Sequence, residues 1–398
     1  MIPDKYFDPL SPSVLADPFP SYQRLRGADP VYWHEQLKSW VVTRHADCAF
    51  VLANTDPFTT DFRKIDIPTP APLLSLQTID PPEHTPLRNF GKDALHAQNL
   101  KSLEEATSRH AELLLNELES RESFDFVSDF ADPFTLGMIC NVLGVDPPER
   151  DAKWDLFNNH LDESMDHELA PDSQLAGLAA REHFNALVNS WIAKPPEKGL
   201  VRYIVDNIEQ AGVPTDVLVN SVRAFWHAGF EVPSRFLANA LVALLKHPAA
   251  MRSVDPNKPI DTAVEELIRF AGPVHALSRA CIRDTPLRDK LIRRGDVVIA
   301  LIAAGNRDPE VFDRPEDLDL HRLTNPHLGF GRGPHACMGG HLARMEARIA
   351  IQKIIQRFPH MELVEEPKPR ANATLRGPAV MKMTFAGAPE LAGAMTLS

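Results

Sequence analysis

The 398-residue sequence predicts a mainly α-helical fold with small β-sheets. Three observations carry that expectation. Residues 215–247 read as one helix of about thirty residues, roughly 45 Å at 1.5 Å per residue. A glycine-rich, irregular run, 327–340, delivers Cys337 to a helix start, after which Leu342, Ala343, Met345, Ile349, Ile351 and Ile354 recur at roughly helical spacing. The stretches with strand character are short, as at Val31–Trp33, Ser39–Thr43, Met361–Val364 and Val380–Phe385.

Taken in order, residues 1–30 are proline-rich and read as irregular. The first two short strands form a hairpin, and Ala46–Ala53 is a helix. Residues 55–80 carry Pro57, Pro68, Pro70 and Pro72 with no sustained period, so they read as a long loop; such loops in compact domains are usually functional or disordered. His84 and Arg88 are four apart and share a helix face. Helices are predicted over 98–120, 132–143, 148–165, 173–193 and 199–211. Thr215 or Asp216 is expected to cap the long helix, and Pro248 to end it. Within it, Pro233 removes the N–H partner of the Gly229 carbonyl, so a kink is expected. Glu266 and Arg269 lie three apart in the 261–270 helix, an ordinary surface pair when read alone. Ile292–Ile299 reads as a hairpin entering a strand. His160, Asp162, Glu163, His167 and Glu168 match no metal spacing and read as a solvated acidic loop.

Composition sets the bounds. With 44% hydrophobic and 24% charged residues, the chain is ordinary for a globular protein. A formal charge of -12 argues against nucleic acid as a partner. The start carries no apolar run suited to a membrane span or signal, which predicts a cytoplasmic protein with no membrane partner. Cys48, Cys140, Cys281 and Cys337 show no paired spacing, so neither a disulfide framework nor a zinc site is expected.

A cysteine where a loop becomes a helix meets unpaired N–H groups and the positive dipole end, which favour the thiolate. Gly331, Gly333 and Gly339 clear side chains from its surroundings. A lone cysteine after glycines is more often an inert buried thiol. Here the pattern is longer: Phe330-Gly331-x-Gly333-x-His335-x-Cys337-x-Gly339 resembles the haem-binding signature of the cytochromes P450, every fixed position present. The resemblance covers nearly the whole chain and implies the P450 fold as one domain over 1–398, with 215–247 as its long central helix.

What the resemblance implies is specific. Cys337 is the expected axial thiolate ligand, and so metal ligand, of haem b (iron-protoporphyrin IX). Phe330, Gly331, Gly339 and Ala343 border it, and His84, Arg88, Arg279 and His335 bond the propionates. Thiolate ligation favours O–O cleavage. The 55–80 loop and a mobile 158–190 lid cover the substrate. Mid-helix, the family reads Ala-Gly-x-acid-Thr, making room for dioxygen and relaying protons. This chain keeps Ala228, Gly229 and Glu231 but has Val232 in place of the threonine. Glu266, Arg269 and Arg322 resemble a buried structural network.

The reading is therefore a monooxygenase acting on a small, largely apolar organic substrate, fed electrons by a separate ferredoxin or flavodoxin with its reductase. Phe225, Trp226 and Phe230 suggest an apolar or aromatic lining, although a helix turns three such neighbours to different sides. Arg332, Arg344, Arg348 and Lys92 suggest a basic docking patch. Because Val232 lacks a hydroxyl, oxidative coupling or desaturation without oxygen insertion stands as an alternative. Direct use of peroxide and a non-catalytic haem-thiolate sensor are two more.

Overall fold

The computed structural model describes residues 7–166 and 173–385. Against the expectation of an irregular start, α1 (Pro12–Ala16) and α2 (Phe19–Ala28) are helical, with prolines in their first turns. A missing N–H costs nothing there, so these prolines open helices instead of breaking them. β1 (Val31–His34) and β2 (Ser39–Val42) form the predicted hairpin, Val31 facing Val42. α3 (His45–Ala53) follows. The 55–80 stretch holds only β3 (Phe58–Thr59) and two 3-10 turns, Phe62–Ile65 and Ala71–Leu73.

α4 (His84–His96) and α5 (Leu100–Glu119) come next, the second capped by Asn99, whose side chain accepts from Ser102 N–H. After β4 (Ser123–Asp125), a π-helical turn enters α6 (Asp132–Leu143). Gly144 ends α6 at φ +81°, where a Cβ would stand 2.0 Å from the Lys198 carbonyl. α7 (Ala152–Glu163) is capped by Asp151, and α8 (Ser173–Ala193) and α9 (Leu200–Asp206) follow. His167 and Glu168 lie outside the described residues.

The central helix, α10 (Thr215–Lys246), runs 32 residues, about 48 Å, with Pro214 as its cap in place of the expected Thr215 or Asp216. Asp216 instead accepts from the N–H of Val217. Pro233 does not interrupt the helix. Packing on several sides by α6, α8 and later helices outweighs the one lost bond. By length and composition α10 could cross a membrane, yet 61% of its most apolar window is buried within the fold.

The chain continues through α11 (Pro248–Ser253), α12 (Asp261–Ala271), β5 (Leu277–Cys281), β6 (Thr285–Leu287), β7 (Lys290–Ile292), β8 (Val297–Ala300) and α13 (Ile302–Gly305). The long cysteine loop leads to α14 (Gly340–Arg357), then β9 (Met361–Leu363), β10 (Lys368–Pro369), β11 (Pro378–Val380) and β12 (Lys382–Phe385). The largest sheet has the order β1-β2-β8-β5-β3, with β2 and β8 parallel. A second sheet, β4-β12-β9, ties the chain's end to the α5–α6 connection.

Two apolar clusters meet on α10. One joins it to α5, α6, α12 and α14 through residues such as Phe130, Leu237, Leu267 and Ile351. The other joins it to α4, α7 and α8. Trp226 and Phe230 belong to the second cluster, at 0% and 1% exposed, edge to face or tilted against Trp154. They are core under α7 and α8, not the expected aromatic lining; an apolar residue on a helix that is buried nearly all round need not face a cavity.

Candidate active site

The cysteine loop is shaped by its own backbone. Gly331 N–H bonds Leu328 O at 2.8 Å, and Cys337 N–H bonds Phe330 O at 2.8 Å. Gly333 sits at φ +76°, where a Cβ would approach the backbone of Ala53 to 2.7 Å, so only glycine fits. The Phe330 ring lies under the Arg344 guanidinium, 4.3 Å away. Ala343 N–H closes the first turn of α14 on Gly339 O at 3.0 Å.

Cys337 is open to the space it faces. The expected pre-formed thiolate is not what the surroundings favour. Removal from bulk water pushes the thiol above its ordinary value, against the Gly339 N–H and the charges of Arg88 and Arg344. α14 begins three residues later, too far for its dipole to prevail. Deprotonation is then coupled to metal binding, since a coordinating thiol loses its proton outright.

Four predicted side chains gather beside this loop. His84 is the first residue of α4, 1% exposed, its ring 4.4 Å from that of His335. One turn on, Arg88 donates to the carbonyl of Ala336 at 2.6 Å. Arg279, on β5, donates to Ser278 O at 2.7 Å and is 7% exposed. His335 Nε2 pairs with Asp80 Oδ1 at 2.7 Å. Asp80 also accepts from Thr59 and Thr60.

Burial, with His335 and Arg88, lowers His84 to about 4, and burial lowers Arg279 to about 10. Asp80 is held far below the carboxylate range: burial opposes its charge, but His335 and Thr59 overcome that. His84 Nε2 is buried without a partner. Two guanidiniums and two imidazoles thus gather where the carboxylate is Asp80, which His335 and Lys64 already claim at 2.7 and 3.6 Å. This donor set fits a flat group carrying two anionic arms, which is the requirement of haem b.

α10 faces this loop: the Phe225 ring reaches 3.9 Å from where a Cβ on Gly339 would stand. Phe225, Ala228, Gly229, Val232 and Pro233 form its partly exposed stripe, at helical spacing, on an otherwise largely buried helix. Ala228 and Val232 lie on that stripe. Gly229 has a second reason to be glycine, since a Cβ there would come within 2.5 Å of Ile139 on α6.

Glu231 is not on the open stripe. It is 2% exposed and takes a hydrogen bond from Asn158 of α7, while Arg235 stands 3.3 Å away. Arg235 also pairs with Asp162 and donates to Leu375 O at 2.5 Å. Ser234 donates to Asp132 at 2.5 Å. Burial pushes Glu231 up, but Arg235, Arg370, His227 and Asn158 outweigh it and keep the carboxyl ionised. Asp162, under burial and the Glu231 charge, is pushed up instead.

The expected solvated acidic loop thus fails at Asp162, 2% exposed. Asn158, Asp162 and Arg235 were missed in the sequence. The available signal was Arg235 itself, four residues after Glu231 on an apolar helix.

The expected basic patch is largely spent. Arg344 pairs with Glu265 and Arg348 with Glu104, which leaves Arg332 and Lys92 exposed. The Glu266 network is as expected: Arg269 at 2.7 Å and Arg322 at 3.1 Å.

Comparison with known proteins gives the family. The family profile "Cytochrome P450" matches residues 259–384. Cytochrome P450 CYP107DY1 of Priestia megaterium is 30% identical over 372 residues, covering 87% of this chain and 90% of that protein. The 20-oxo-5-O-mycaminosyltylactone 23-monooxygenase of Streptomyces fradiae is 28% identical, covering 88% of this chain and 85% of that one. Crystalline CYP109E1 from Bacillus megaterium, in complex with testosterone, superposes with a TM-score of 0.85 at 25% identity, covering 94% of this chain and 100% of that one.

Proposed function

This chain belongs to the cytochrome P450 family, and from that premise we propose how its own residues serve the chemistry. The protein is a monooxygenase whose cofactor is haem b. When bound, that group supplies activation of dioxygen for insertion into a C–H bond, with thiolate ligation favouring O–O cleavage.

Cys337 supplies the thiolate, and Phe330, Gly331, Gly339 and Ala343 border the group's thiolate side. His84, Arg88, Arg279 and His335 hold its two carboxylates. The observation that carries this is the charge imbalance beside the loop: among the described residues Asp80 faces the four basic side chains and is also claimed by Lys64 at 3.6 Å, while His84 Nε2 is buried and unpartnered. Charge-assisted bonds to buried carboxylates resolve that imbalance.

The open stripe of α10 bounds the reacting space. Ala228 keeps it narrow without filling it, and Val232 excludes water without donating a proton. Glu231 is an ionised anchor for α7, not a direct proton donor. The Gly229 carbonyl, freed by Pro233, can hold a water that donates in its place. Electrons come from a separate ferredoxin or flavodoxin with its reductase, and the substrate is a small organic molecule.

The test is the ferrous–CO spectrum of the haem-loaded protein. Wild type gives the thiolate form, and Cys337→His keeps haem but loses that form. Retention of the thiolate form in Cys337→His would refute the assignment.

A further inference from the structure

Of the seven buried arginines among the described residues, Arg223 of α10 alone has no acid acting on it. Arg26, Arg235, Arg269 and Arg307 are ion-paired, and Arg279 and Arg376 stand in the fields of Asp80 and Asp166. Arg223 is 5% exposed, and its partners are neutral. Its Nε donates to Asn185 Oδ1 of α8 at 3.0 Å, and its Nη2 to the Pro72 carbonyl of the 55–80 loop at 3.3 Å. Glu231 and Asp162 lie farther along the packed side of α10, but Arg235 already takes both.

The charge that does act on Arg223 is a second cation. Arg181 precedes Asn185 by one turn of α8 and donates from Nη1 to Ser164 Oγ at 3.0 Å. It forms no ion pair among the described residues, and no carboxylate acts on it. Burial lowers Arg181 to about 10, and burial with the Arg181 charge lowers Arg223 to about 9. Among the described residues, Arg181 Nε and Nη2, which form one edge of its guanidinium, and Arg223 Nη1 make no hydrogen bond. Water can satisfy such donors but not the two charges, and like charges withdrawn from water are costly without a counterion.

The counterion is not a haem carboxylate. Those fall to the set beside Cys337, and no member of that set acts on Arg181 or Arg223. Nor does it lie on the open stripe, because Arg223, His227 and Glu231 recur every four residues on the packed side of α10. The place left is the seam where α8, α10 and the 55–80 loop meet. That seam is otherwise joined by neutral bonds: Asn185 donates to Asn220 Oδ1 at 2.6 Å, and Asn220 to the carbonyls of Ala71 and Leu74 at 2.9 and 2.8 Å. The free edge of a guanidinium presents two parallel N–H groups, which match two oxygens of one oxyanion; a single chloride ion makes no such fit.

We propose that Arg181 and Arg223 form a site for a small inorganic oxyanion of the phosphate or sulfate class, which fastens α8 to α10 and to the 55–80 loop. The site stands apart from the reacting space and does not depend on the monooxygenase reading. Its consequence is that local opening of α8 is linked to the concentration of the anion.

The experiment titrates inorganic phosphate, sulfate and chloride calorimetrically into the haem-loaded protein, in a phosphate-free buffer at constant ionic strength. The haem spectrum is followed throughout, so that an anion bound at iron is recognised. Phosphate or sulfate should bind saturably, about tenfold or more tightly than chloride, as a bidentate charged pair requires. Arg223→Gln and, separately, Arg181→Gln should each weaken that binding about tenfold or more with the ferrous–CO spectrum unchanged; either variant serves if the other does not fold. Amide hydrogen exchange across 173–193 should slow about tenfold in wild type when the oxyanion stands at ten times its dissociation constant.

No saturable oxyanion binding, chloride bound as tightly as either oxyanion, binding undiminished in a folded variant, or unaltered exchange of α8 overturns the proposal. Failure of the monooxygenase reading shows separately, as loss of the thiolate spectrum in wild type, because neither calorimetry nor hydrogen exchange depends on turnover.

Discussion

Glu266→Gln isolates the worth of the buried network beneath the cysteine loop. Both Glu266 and Arg269 side chains are fully buried. The carboxylate accepts two bonds of 2.7 Å from Arg269, and one each from Arg322, Asn325 and the Asp319 N–H at 3.0–3.1 Å. Glutamine keeps the shape but points an NH2 at a shell made wholly of donors. It also leaves Arg269 without a charged partner, facing one amide oxygen and the carbonyls of Asn306, Pro315 and Asp317.

Losing one partner of a buried pair costs about 3–5 kcal/mol. With an unfolding entropy of about 2.1 cal/mol/K per residue over the whole chain, that lowers the melting temperature by about 4–6 °C. The assay is thermal and urea unfolding of the apoprotein, since a bound cofactor breaks two-state behaviour. Glu366→Gln is the control. Its partner Lys246 is 2.8 Å away, but both side chains are exposed, so the loss should be under about 1 kcal/mol. If the two variants lose the same small amount, burial does not govern the network and the argument fails.

Two further outcomes are expected. His84 is held at about 4 when folded, below its ordinary 6.5, so between those values the unfolded chain takes a proton that the folded one refuses. Apoprotein stability should therefore decline as pH falls across that window, His84 contributing up to about 3 kcal/mol, and His84→Gln should make the profile measured by urea midpoints shallower by that share, the remainder coming from His227 and His275, which burial also lowers. Asp80 cannot mimic this, because its depressed carboxyl loses stability only below its ordinary 3.8. Val232→Thr should raise the share of electrons ending in product over those lost as peroxide; an unchanged ratio shows that the missing hydroxyl is irrelevant.

The legible parts of this protein were those written locally. Cys337 and its glycines are a contiguous run whose backbone bonds lie within it, and His84 and Arg88 share a face by simple helical arithmetic. The start of the chain misled because proline breaks a helix interior but suits a first turn, and composition alone does not distinguish them. Asp162 misled for a different reason. Its burial depends on α7 packing against α10, with Arg235 arriving 73 residues away, and no local pattern encodes that.

The two sides of α10 explain why the altered Ala228–Pro233 segment is self-consistent. The acids near its middle, Glu231, Asp162 and Asp132, lie on the packed side among Arg235, Arg150 and Asn158. The open stripe carries no side-chain hydroxyl or acid. A threonine at 232 would put a hydroxyl on that stripe, and valine fills its volume without one; His227, partly exposed, stands 3.7 Å from Asp162 on the neighbouring face. What remains on the open side is an acceptor, the Gly229 carbonyl that Pro233 deprives of its helical partner. An acceptor cannot donate, but it can orient a water that does. On the reading proposed above, the proton comes from water or from a hydroxyl on the substrate. Val232→Thr tests this directly, because a restored hydroxyl should make product formation less dependent on which substrate is bound.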